Sequence, residues 1–182
     1  MGIWLDELER ESLESRALTQ QQLRDRRALR ATLEQHHESM LMEPGFDCVL
    51  LLLDAQHKPG SGHEDLPVTE GQDLMHAELV HMGLPVYALR DGQACLALPR
   101  ASNDEVKRLL TRLGRRVATN SQNRYTIVFG AARAHEARRS CADWLALADL
   151  RFQQRQARMG VGEGVAGALL ARRAERRQTG RR

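Results

Sequence analysis

The side chains of this sequence that could carry chemistry are seven histidines, three cysteines, a few loop serines and one aspartate that closes an apolar run. A metal centre needs imidazoles or carboxylates that converge. His76 and His81 are five positions apart, about 140° around a helix, so they do not share a face. His57, His63, Glu64 and Asp65 fall in one stretch that reads as loop, where ordinary solvated residues are preferred over a metal site. No H-E-x-x-H is present. Ser61 and Ser140 lack a glycine elbow, and neither a P-loop nor a G-x-G-x-x-G occurs. Cys48, Cys95 and Cys141 are far apart without C-x-x-C spacing. Cys48 and Cys95 sit in apolar runs, so buried free thiols are expected. Asp54, at a strand end, either holds a cation or has no role, and the second reading is preferred.

The elements around these residues follow from pattern. Residues 3–38 read as helix, rich in good helix formers with no Gly or Pro from Ile3 up to Pro44. Ile3, Trp4, Leu5 and Leu8 form an apolar cluster at its start, and Leu18, Leu23, Leu29 and Leu33 recur behind it. A break near Ser15–Thr19 fits Thr19 as a cap. After Glu43-Pro44-Gly45, the run Phe46–Leu53 ending at Asp54 predicts a central strand buried on both faces. Residues 58–67 are a Gly/Pro/Ser loop, and 70–82 a helix. Pro85–Leu89 and Ala94–Leu98 flank Arg90-Asp91-Gly92-Gln93, a hairpin signal. Ser102 with Glu105 predicts a capping box for a helix carrying Val106, Leu109, Leu110, Leu113 and Val117. Tyr125–Gly130 is a strand. Residues 134–158 are helix, with Cys141, Trp144, Leu145, Leu147, Ala148 and Phe152 inward, ended by Gly160, Gly162 and Gly164. A last short helix is placed at 165–177.

With 182 residues the chain suits one domain plus a helical extension. Aromatics make up 4%, which argues against a base-stacking nucleic-acid surface. Net charge is only +3, yet from Arg151 onward nine arginines face Glu163 and Glu175. This tail reads as a solvated end, with an electrostatic arm for an acidic partner, membrane or nucleic acid as the minor reading. Cys48–Leu53 is too short to span a bilayer. The N-terminus is acidic where a signal peptide would be basic then apolar. With no disulfide framework, a cytoplasmic location is expected.

In their order, these elements resemble the GGDEF (diguanylate cyclase-like) domain, over about residues 23–160. Leu23–Leu29 is similar to that family's L-x-N-R-R-x-L segment. Leu51–Lys58 resembles its first strand with D-x-D-x-F-K, and Gly62-His63 the following G-H. Tyr125–Ala132 is similar to T-V-S-x-G-V-A. Ala142–Asp149, with Phe152 and Gly160, resembles the closing A-D-x-A-L-Y-x-A-K-x-x-G helix. The motif that names the family would fall on Arg90, Asp91, Gly92, Gln93 and Ala94.

The resemblance implies a two-layer α/β (α+β) fold, a palm-like mixed sheet flanked by helices. It also implies that the family's chemistry is lost. Cyclic di-GMP synthesis is phosphoryl transfer from GTP and needs divalent metal on carboxylates. Asp54 matches one such position, a remnant; the second becomes Gln56. The motif's glycines match Arg90 and Asp91, where side chains fill space that should be empty. Its acidic pair matches Gly92 and the neutral Gln93. The late phosphate-contacting lysine falls near Arg155 or Gln156. The R-x-x-D product site matches Pro85 and Ala88, so guanidinium and carboxylate are both missing.

The expectation is therefore a non-enzymatic regulatory module without metal or cofactor. It would consist of a helical extension at 1–38, a degenerate domain at 39–160 and a basic tail at 161–182. Its partner would be an active homologue, another signalling protein or a second copy, met through Ile3, Trp4, Leu5 and Leu8, without a membrane span and without nucleic acid. The alternative is a non-catalytic receptor for GTP or cyclic di-GMP in the remnant cleft.

Overall fold

The computed structural model describes residues 20–59, 62, 67–89, 92–137 and 140–159. Helix α1 spans Gln20–Met42 and strand β1 Cys48–His57. Helix α2 is Thr69–His81, strand β2 Tyr87–Ala88, strand β3 Ala94–Pro99 and helix α3 Asn103–Asn120. Strand β4, Tyr125–Arg133, leads through a 3-10 turn at Ala134–Ala137 into helix α4, Cys141–Arg158.

The strands form one sheet in the order β2-β3-β1-β4. Strand β1 pairs on one side with β3 (Leu52 opposite Cys95) and on the other with β4 (Leu52 opposite Gly130). A strand with a partner on each side, and helices over both faces, has no solvated side. All ten of its residues are buried, which accounts for its unbroken apolar run. Alternate residues serve opposite faces. Cys48, Leu50 and Leu52 pack with Leu29 and Leu33 of α1 and Trp144 and Phe152 of α4. Val49, Leu51, Leu53 and Ala55 pack with Met75 and Leu79 of α2 and Val106, Leu113 and Val117 of α3. The fold is α+β, with one helix pair on each face.

Two junctions need particular residues. Ser102 caps α3: its Oγ accepts from the Glu105 amide, and the Glu105 carboxylate accepts from the Ser102 amide. At Gly130 the backbone of α4 lies directly against β4, and a Cβ there would meet the Ala148 carbonyl and Phe152. Just beside this contact, the Trp144 indole donates to the Ala132 carbonyl at 2.9 Å.

Several expectations are corrected. The sheet is antiparallel at every pairing, not mixed. The crossover through α2 does set β2 parallel to β1, but β3 inserts between them, so parallel strands never become neighbours. Strand β1 does not stop at Asp54; pairing with β4 carries it to His57, opposite Tyr125. His57 is consequently a buried strand residue tilted against the Tyr125 ring, at 4.9 Å between centroids, and not a loop residue. The helix expected over 134–158 is divided, because β4 runs on to Arg133 and Ser140 caps a new helix through the Asp143 amide. Ile3, Trp4, Leu5, Leu8, His63, Glu64, Asp65, Arg90, Asp91 and the segment 160–182 lie outside the described residues. Among the described residues, no helix is long and apolar enough to cross a membrane.

Candidate functional site

Asp54 sits where the pairing of β1 with β3 ends, at Leu53 opposite Ala94, and the turn between β2 and β3 begins. The register therefore carries the Asp54 carboxylate to the hairpin turn. Asp54 is buried, 8% exposed. A carboxylate that deep needs hydrogen-bond donors. One is Gln72, on the first turns of α2, whose Nε2 donates to Asp54 Oδ1 at 2.9 Å. The same Gln72 carboxamide lies against Gly92, and a Cβ there would run into it. Gly92 also has φ +79°, a left-handed conformation that suits glycine. One turn along α2, His76 Nε2 lies 3.0 Å from the Gly92 carbonyl. A carbonyl can only accept, so this bond requires the proton on Nε2. Helix α2 thus holds both the carboxylate and the turn, and the space between them is filled by a neutral amide.

Two residues along β1, Gln56 is also buried, 3% exposed. It stands where the resemblance places a second carboxylate, and it brings no charge. Ala94 is fully buried in β3, and Gln93 is half-buried with its carbonyl accepting from the Leu89 amide at 2.8 Å. Arg155 packs its guanidinium over the Phe129 ring, 3.7 Å from the centroid. Ala88 of β2 donates its amide to the Asp25 carboxylate of α1 at 3.2 Å. Among the described residues no three His, Cys, Asp or Glu side chains gather as a metal-holding group.

The surroundings of the three thiols disfavour the thiolate. Burial pushes Cys48 up to about 12, helped by the Asp47 charge, and burial also pushes Cys95 upward. Burial raises Cys141 as well, with Glu34 adding to it. All three stay protonated at neutral pH.

The chain matches no protein-family model and no curated protein.

Two further polar clusters tie elements together. Asp47 accepts from Arg133 at 2.7 Å and His135 Nδ1 at 3.0 Å; burial alone would raise its carboxyl, but these bonds outweigh it and hold the group below its usual range. Buried Glu78 of α2 pairs with Arg116 and accepts from Asn120 of α3 at 2.7 Å, joining the two helices of one face.

Sequence reasoning named Asp54, Gly92, Gln93 and Ala94, and the structure brings these together. It missed Gln72. The signal was present: Gln72 is three positions before Met75 and seven before Leu79, both buried, so it is the polar member of an apolar helical stripe. His76 was considered only as half of a metal pair, whereas its partner is the turn.

Proposed function

We propose that this chain is a catalytically inactive diguanylate cyclase-like domain that serves as a regulatory protein-interaction module in cyclic di-GMP-linked signalling. The observation that carries the reading is the Gln72–Asp54 hydrogen bond. A magnesium ion demands octahedral oxygen ligands, among them one or two carboxylates, and room for its water. Here a carboxamide nitrogen lies against the carboxylate at 2.9 Å, and the same carboxamide crowds the glycine of the turn. Gln56 and Gln93 add no charge. In this reading the described residues offer a triphosphate neither a metal-holding group of carboxylates nor an uncrowded Gly92, so the in-line chemistry of phosphoryl transfer has no seat. Further support comes from the order of elements, helix, strand, helix, hairpin, helix, strand, helix, which is the order the resemblance leads one to expect.

A domain that keeps its fold without the chemistry acts through its surfaces. In this reading the contact element is the apolar cluster Ile3, Trp4, Leu5 and Leu8, and the partner is an active homologue, another signalling protein or a second copy. Incubation with GTP and magnesium or manganese is expected to give no cyclic di-GMP. A chain lacking residues 1–20 is expected to lose self-association, or capture of its partner, in size-exclusion with light scattering. Conversion of GTP by the full chain overturns the proposal. Calorimetric binding of GTP or cyclic di-GMP without turnover would replace it with the receptor reading.

A further inference from the structure

Helix α3 carries two adjacent surfaces of different character. Along one side Lys107, Arg108, Arg112, Arg115 and Arg116 line an open trough of about 610 Å³. Arg108, Arg112 and Arg115, spaced four and three, stack on one side of the helix, with Lys107 and Arg116 flanking them. Arg116 is paired with Glu78, and Arg108 donates to the Asp104 carbonyl of its own helix. No carboxylate of the described residues pairs with Lys107, Arg112 or Arg115. Among the described residues, Asp104 is the one acidic side chain lining the trough. Beside it, a groove of about 280 Å³ runs between α3 and the ends of the strands, with Leu84, Leu98, Val106 and Leu109 as its apolar lining and Arg100 and Glu105 at its polar rim. Glu43 pairs with Arg100, and Glu105 is committed to the α3 cap.

An apolar slot and a row of arginines on the same helix fit a segment with the opposite pattern: bulky apolar residues followed closely by carboxylates. The chain contains one. Ile3, Trp4, Leu5 and Leu8 are interleaved with Asp6, Glu7, Glu9, Glu11 and Glu14, against a single Arg10 within that acidic stretch. Arginine forks take carboxylates bidentately, and a tryptophan in an apolar slot is the usual kind of interface anchor. We infer that residues 3–14 dock on the α3 groove and arginine row of a second copy of this chain.

A second copy is favoured over the chain's own α3 by where α1 lies. Leu29 and Leu33 pack α1 on the sheet face opposite Val106 and Leu113. Asp25, near the start of α1, bonds Ala88 beside the hairpin turn, whereas the groove lies at Leu98 and Pro99, the other end of β3. Reaching its own groove would take the segment around the sheet and along its length. Exchange between two copies needs no such detour, and it closes on itself as a two-fold pair. This placement rests on the interaction-module reading, to which it adds the receiving surface.

Lysine occurs at only two positions, Lys58 and Lys107, which makes zero-length carbodiimide coupling a direct test. Full-length chains grown in light and heavy nitrogen are mixed, coupled and digested. The expected product joins a carboxylate between Asp6 and Glu14 of one isotope to Lys107 of the other. The exposed pair Arg112→Glu with Arg115→Glu is expected to cut that yield several-fold, with circular dichroism unchanged, and high salt to act likewise. Coupling to Lys58 alone, coupling only within one isotope, or an unchanged yield in the double variant overturns the placement. If the chain self-associates through residues 1–20 yet gives no Lys107 product, this docking site fails and the module reading stands. If it neither self-associates nor captures any protein, both fall.

Discussion

Gln72 on α2 donates to Asp54 on β1 across 18 positions of sequence, with both side chains buried. This bond links the helix, the central strand and, through the contact of Gln72 with Gly92, the hairpin turn.

Removing the amide should therefore cost stability without opening a reaction. Gln72→Ala takes one donor from a buried carboxylate, and a cost of about 1–3 kcal/mol is expected. The measurement is the urea midpoint at neutral pH, paired with an assay of GTP conversion, which should stay at background. A variant that gained cyclase activity would mean that Gln72 blocks a working site.

Gly92→Ala tests the same contact from the other side. The new methyl meets the Gln72 carboxamide, and the residue must hold φ +79° with a Cβ. The expected loss exceeds about 1 kcal/mol. Gly45, also at positive φ but with open space around it, is the control: Gly45→Ala carries only the backbone strain and should cost less.

At Gly130 the strand touches α4 backbone, which cannot move aside as a side-chain tip can. Gly130→Val should force α4 away from the sheet, at a cost of about 3 kcal/mol or more. Trp144, fully buried and bonded to Ala132, reports this: its emission should shift to the red as the helix lifts. Because Trp4 is the other tryptophan, the shift is read in a Trp4→Phe background.

Acid should loosen the junction after β4. The Arg151 guanidinium holds the Glu136 carboxyl down to about 2, against an ordinary value of 4.5. The two are joined by two bonds of 2.8 Å. A depressed carboxyl contributes stability that is complete above 4.5 and is lost as pH falls toward 2. Both partners are partly exposed, so the effect is discounted for solvent screening. The melting temperature of Glu136→Gln is expected to lie below that of the parent at pH 6 and to converge with it near pH 2.

Much of the fold was legible because its elements are locally consistent. The apolar run of β1, the Ser102–Glu105 box and the helical stripe of α3 each point to one conformation, and each forms. What escaped was decided by tertiary pairing. Nothing local in Asp54-Ala55-Gln56-His57 says strand; the partner residues Tyr125–Val128 make it so. Helix propensity alone runs through 134–158, but Arg133 is still paired with Val49, and the chain must turn before α4 can start. The site was half legible for the same reason. Asp54 and the turn are visible as motif positions, whereas Gln72 matters only because α2 lies over them.

Strand β1 has a further consequence for a chain made from its N-terminus. Its outer partner β4 comes from the far end of the domain, with Val49 facing Arg133. Until the ribosome has delivered that last strand, the ten residues Cys48–His57, apolar through Leu53, have one bare edge and no finished covering. Such a segment is the hazard that chaperones exist to shield. The newborn chain is most exposed to misassembly during the interval between those two strands.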